Sequence, residues 1–121
     1  MNLTDIIHYI APLIGFFTLA IGLSAVAKPE SMSKNFGIQA SGKALPYVIS
    51  TGIRDVFMGL TMFILFFMQL WQAMAAVSLC IGIVAICDFI VVQKHGDKKT
   101  SLIHLAGASA VIGYGIVLFV V

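Results

Sequence analysis

Charge is scarce in this chain: Asp, Glu, Lys and Arg make up 10% of its 121 residues, against about 25% in soluble domains. Proline occurs three times, cysteine twice and tryptophan once. So little charge excludes the solvated surface of a soluble enzyme, and a net charge of +2 excludes the basic field of a nucleic-acid binder. A disordered tail is excluded as well, because 60% of the residues are apolar and disorder needs the opposite bias. No phosphate loop, metal-ligand spacing or nucleophile triad is visible, so no cofactor and no metal is expected. Cys80 and Cys87 share a helical face with roughly 10 Å between their Cα atoms at a 1.5 Å rise, too far for a disulfide. Both are expected to be reduced packing residues.

What the chain has is long apolar runs. A mean hydropathy of +1.07 is more than a small globule can hide, since small domains leave much of their chain exposed. The protein is expected to be integral to a membrane. Four segments reach the roughly 20 residues needed to cross one as helices: Ile6–Ala27, Tyr47–Leu70, Ala73–Val92 and Ser101–Val121. Barrel-type alternation is absent. The expected fold is all-α, a four-helix integral membrane bundle forming one domain over residues 1–121. Ala25-Val26-Ala27 looks like a signal-cleavage site, but Asp5 stands where a basic region should precede it, so the first span is read as retained.

Lysine placement sets the orientation. Lys28, Lys34 and Lys43 fall between spans one and two, and Lys94, Lys98 and Lys99 between spans three and four. The N-terminus and the Trp71-Gln72 turn carry none. The positive-inside rule puts both lysine loops in the cytoplasm and both termini outside, N-out/C-out, with a bacterial inner membrane as the expected location. Tyr9 and Trp71 then mark the outer interface and Tyr47 the inner one. In the loop Lys28–Pro46, Pro29 suits a first helical turn, Met32 and Phe36 share a face, and Gly37 suits a C-cap. This predicts a short interfacial helix followed by a Ser-Gly-Lys linker.

Ionisable residues interrupt three of the spans: Arg54 and Asp55 in span two, Asp88 in span three, His104 in span four. Each intramembrane charge costs at least about 2.5–3.5 kcal/mol on insertion scales, which normally turns it inward and pairs it. Counting 1.5 Å per residue, Arg54 and Asp55 lie about 12 and 13 Å beyond Pro46, Asp88 about 8 Å from Gln93, and His104 about 6 Å from Thr100. Three helices therefore bring polar groups to one level of the inner half. One arginine and two aspartates leave a net negative charge, which a proton on His104 or on an aspartate would cancel. Arg54 is expected to reach Asp88, and His104 to approach an aspartate. Arg54 and Asp55, about 100° apart on the helix, are not expected to pair neatly.

These groups suggest an inward-facing pocket for a lipophilic small molecule or lipid with a polar or acidic head. Arg54 and Asp88 would bind the ligand, and Asp55 and His104 would be catalytic in proton-transfer chemistry of the isomerase or cyclase type. The competing reading is a non-catalytic accessory or assembly subunit, held by an Arg–Asp lock, or a dimeric proton-coupled exporter. Partners are the bilayer, the lipophilic molecule and a second copy of the chain, with no nucleic acid. Near the outer face Asp5, His8 and Tyr9 cluster beside Pro12, which removes the hydrogen bond to the His8 carbonyl. The favoured reading there is a Thr4 cap, Asp5 on the helix dipole and His8 toward headgroups. Gly52 and Gly59 in span two, and Ala106, Ala110 and Gly113 with Gly107 and Gly115 in span four, mark close helix contacts, within the bundle or between copies.

The run Phe36-Gly37-Ile38, the stretch Gly52-Ile53-Arg54-Asp55 with Gly59, then Asp88 and His104, resembles the small four-helix membrane proteins known as domain of unknown function four-two-six-seven. The resemblance covers nearly the whole chain, and Gly-x-Arg-Asp with its following glycine is its most specific piece. It implies that Arg54, Asp55, Asp88 and His104 occupy that family's polar positions, and it carries no settled activity. On architecture alone the chain also resembles four-helix proteins of the DoxX type.

Overall fold

The computed structural model describes residues 1–121. Four long helices, α1 (Leu3–Ala27), α3 (Leu45–Phe67), α4 (Trp71–His95) and α5 (Lys98–Val120), are each long and apolar enough to cross a membrane. A short helix, α2 (Pro29–Phe36), and one 3-10 turn at Gly42–Ala44 connect α1 to α3. There is no strand, and the protein is an all-α multi-pass membrane bundle.

Local signals in the sequence account for the helix ends. Asn2 accepts from the Asp5 amide at 2.9 Å while the Asp5 carboxylate accepts from the Asn2 amide at 3.0 Å, a reciprocal capping box. The cap is therefore Asn2 and not Thr4. Pro29 opens α2, and Gly37 closes it with φ at 101°, the left-handed conformation a glycine adopts without strain. Ser33, buried in α2, donates to the Glu30 carbonyl at 2.6 Å and accepts from the Ala40 amide at 2.9 Å. That pair of bonds turns the linker back toward α3.

The helices assemble as two tight antiparallel pairs. In α1 and α3, Gly15 faces Gly59 and Gly22 faces Gly52. A Cβ on Gly22 would lie 2.5 Å from the Val56 nitrogen and 2.6 Å from the Gly52 oxygen. One on Gly59 would lie 2.7 Å from both the Gly15 oxygen and the Leu19 nitrogen. The two backbones are in contact, so only hydrogen fits at these positions. In the second pair Gly82 of α4 receives Ile112 of α5, and Gly115 receives Leu79. The span-four stripe is thus only partly an internal contact: Ala106 and Ala110 are exposed, and a Cβ on Gly107 or Gly113 would meet open space. Cys80 and Cys87 are free and face outward rather than packing inside.

The pairs join differently at the two ends. At the Trp71 end, Ile7, Ala11, Met62, Met74, Tyr114 and Leu118 close into a buried core. His8 stacks on Trp71 there, with ring centroids 3.8 Å apart and an interplanar angle of 5°. At the lysine end the Asp97 amide donates to the Gly37 carbonyl at 2.8 Å, tying the α4–α5 turn to the end of α2. Asp97 also caps α5: its carboxylate accepts from the Thr100 hydroxyl at 2.6 Å and from the Lys99 and Thr100 amides at 3.3 Å each.

Two outcomes test this packing. Gly22→Ala should destabilise the protein by about 1–3 kcal/mol, the usual cost of overpacking, whereas Gly113→Ala should be close to neutral; thermal unfolding in detergent distinguishes them. The Thr100 hydroxyl, then the Lys99 amide, hold the Asp97 carboxyl below the usual carboxylate range. Its stabilisation is therefore complete above the unfolded value of about 3.9 and is lost as pH falls through the lower folded value. Asp97→Ala should lower the melting temperature at neutral pH, and the gap to wild type should close on acidification.

Candidate functional site

Where the two pairs diverge, in the lysine half, they leave a half-open cavity of about 720 Å³, within the ~300–1,000 Å³ range of small-molecule sites. Met58 of α3, Ile81 of α4 and Val111 of α5 line its deep end, and Met32 and Phe36 of α2 line its lysine end. All four ionisable residues singled out in the sequence, Arg54, Asp55, Asp88 and His104, lie on its wall. The four were expected at one level, and the helices do converge there.

Arg54 is the centre of the cluster. Its Nη1 donates to Asp88 Oδ1 at 3.3 Å and its Nη2 to Asp88 Oδ2 at 3.0 Å, the two-pronged arrangement that a planar guanidinium offers a carboxylate. This links α3 to α4. On its other edge Nε donates to Asp55 Oδ1 at 3.2 Å, and Nη2 lies 3.1 Å from the same oxygen. The sequence argument against an Arg54–Asp55 pair is thereby overturned. An angle of about 100° between neighbouring Cα–Cβ directions constrains short side chains, but the arginine stem is long enough to fold its head back across that angle. The backbone supports the arrangement, since Gly52 and Gly59, about one turn to either side of Asp55, hold α3 against α1 while Arg54 and Asp55 line the cavity. Asp55 is almost wholly buried, while the Arg54 and Asp88 side chains keep about a third of their surface open, 36% and 31%.

His104 shares the cavity but does not bond to an aspartate. Its Nε2 lies 2.9 Å from the carbonyl oxygen of Phe36. A carbonyl only accepts, so Nε2 carries the hydrogen and Nδ1 is the free ring nitrogen. The last carbonyls of a helix lack partners inside it, and His104 supplies one to α2 from α5. His104 lies on the same wall as the two aspartates it was expected to approach, but its hydrogen bond goes to Phe36, because α2 presents its C-terminus to α5. Sequence reading identified α2 and its Gly37 cap but missed Phe36, its carbonyl and the rest of α2 as part of the site wall.

A bundle of membrane-spanning helices, with an arginine shared by two carboxylates on a cavity wall inside the spans, defines the class: a small multi-pass membrane protein with an intramembrane polar site. The chain matches the model described as Domain of unknown function (DUF4267) over residues 15–118, and it belongs to that family. No curated protein and no solved structure matches it.

The shared arginine makes a specific demand. Arg54→Lys keeps the charge but has no fork to span two carboxylates. It should cost about 1–3 kcal/mol, between exposed and buried ion pairs. Its loss should approach that of Arg54→Ala in thermal unfolding; stability equal to wild type would show that charge alone suffices.

Proposed function

We propose that this protein binds a lipophilic small molecule or lipid in the cavity between its two helix pairs. The observation that carries the reading is a cavity of ligand size whose wall is mostly apolar but holds Arg54, Asp55, Asp88 and His104. A structural lock alone would need the Arg54–Asp88 bond; it would not need an open volume beside it. By lysine placement the cavity belongs to the cytoplasmic half of the membrane, and a bacterial inner membrane is the setting this reading adopts. The packed core and the His8–Trp71 stack at the far end weigh against the exporter reading, which needs a path from both faces.

Proton-transfer chemistry is the second reading, and one feature favours it. Asp55 Oδ1 is committed to Arg54, whereas its Oδ2 receives no hydrogen bond from the protein, leaving a carboxylate oxygen able to take a proton from a bound molecule. His104 could act only through Nδ1, since Nε2 holds α2. Arg54 and Asp88 would then position Asp55 and the ligand.

Gly107 lies on the cavity wall, and a Cβ there meets no atom within 4 Å, so Gly107→Trp should fill the space without moving the backbone. Native mass spectrometry of protein released from its own membranes should show a stoichiometric adduct on wild type and none on Gly107→Trp at equal thermal stability. The same adduct on both would place the ligand elsewhere and overturn the reading.

A further inference from the structure

Around Arg54 the polar wall of the cavity has few free donors and several free acceptors. Arg54 directs Nε, Nη1 and Nη2 at the two aspartates, so little of its donor capacity remains for an incoming group. Asp55 Oδ2 has no protein donor, and each carboxylate oxygen of Asp88 receives a single hydrogen bond, half of what an oxygen can accept. His104 Nε2–H is taken by the Phe36 carbonyl, which leaves Nδ1 as a further acceptor. With both carboxyls ionised and the imidazole uncharged, Arg54, Asp55 and Asp88 sum to one negative charge, and no lysine lines the cavity to offset it.

We infer that the occupant of this cavity is an amphiphilic cation, an amine or quaternary ammonium on an apolar tail, held by Asp55 and Asp88 around the Arg54 head. The inference rests on the binding reading and departs from the acidic member of the polar or acidic head expected from sequence. An acidic head would find its arginine occupied and two carboxylates facing it, at a depth where repulsion is weakly screened. A cation brings the wall to neutrality and offers donors or a soft positive surface to the free oxygens. The apolar remainder fits the same ligand. From Asp88 to Ile81 on α4 the wall continues for about 10 Å at 1.5 Å per residue, enough for a tail beyond the head. Phe36 and Tyr47 line the lysine end, where aromatic faces attract ammonium groups.

The test uses three probes with the same eight-carbon tail: octyltrimethylammonium, octanol and octyl sulfate. Each is titrated by equilibrium dialysis against the whole chain in nanodiscs of an uncharged galactolipid, which carries no ammonium group to compete, with empty nanodiscs subtracted. The cation should bind saturably and about tenfold or more tighter than the alcohol, as one nearby unit charge of opposite sign provides in a half-exposed site. The sulfate should show no saturable binding. If the alcohol or the sulfate binds as tightly as the cation, the charge inference falls while the cavity reading stands. If none of the three saturates, both fall. Asp88→Asn retains an oxygen for Arg54 and neutralises the wall; it should weaken the cation about tenfold and leave the alcohol unchanged. Cation affinity unaltered by that change would overturn the role given to the carboxylates.

Discussion

The contact between the backbones of α1 and α3 is the constraint on which the rest depends. Inside a bilayer no hydrophobic force draws two apolar helices together, so association relies on close van der Waals packing and on polar contacts. Gly15, Gly22, Gly52 and Gly59 supply the first, because each lets the opposite backbone or a neighbouring Cβ approach where a side chain would stand. A seam that tight fixes the rotation of α3, and that rotation decides where Arg54 and Asp55 point. The second pair, α4 with α5, fits side chain into glycine gap at Gly82 and Gly115. Each pair is internally complete and needs only a few contacts with the other.

Those few contacts are unevenly distributed. At the Trp71 end, methionines, Tyr114 and the His8–Trp71 stack fill the space between the pairs. Near the lysine end the pairs are bridged by the Arg54–Asp88 bond and, through α2, by the Phe36–His104 and Gly37–Asp97 bonds. Bridges made of a few polar bonds hold helices apart as well as together, and the volume they span is the cavity. Charges that are costly to insert are thus kept where they satisfy one another and still face an open space.

Elements governed by local rules were legible in the sequence. Apolar runs of sufficient length became spans, Pro29 and Gly37 bounded α2, and lysines gathered at one end. The choice of Arg54, Asp55, Asp88 and His104 also followed from sequence, because an ionisable group in an apolar run needs a partner whatever the fold. Local reasoning failed where a flexible or distant group was involved. The Arg54 head reaches Asp55 by bending a stem that helical geometry does not constrain. Asn2 displaced Thr4 as the cap because the box formed with Asp5 satisfies two amides instead of one.

By itself the sequence determined the class of protein, the number of spans, the short connecting helix and the residues that had to be paired. A bilayer imposes these through composition alone, since each helix satisfies its own backbone hydrogen bonds. Only the tertiary structure decided which partners those residues take. His104 meets a carbonyl 68 positions away, and Gly15 and Gly22 matter only because they register against Gly59 and Gly52. Relative rotation, register and the gap between two helix pairs are properties of several helices together, and no single helix's sequence encodes them.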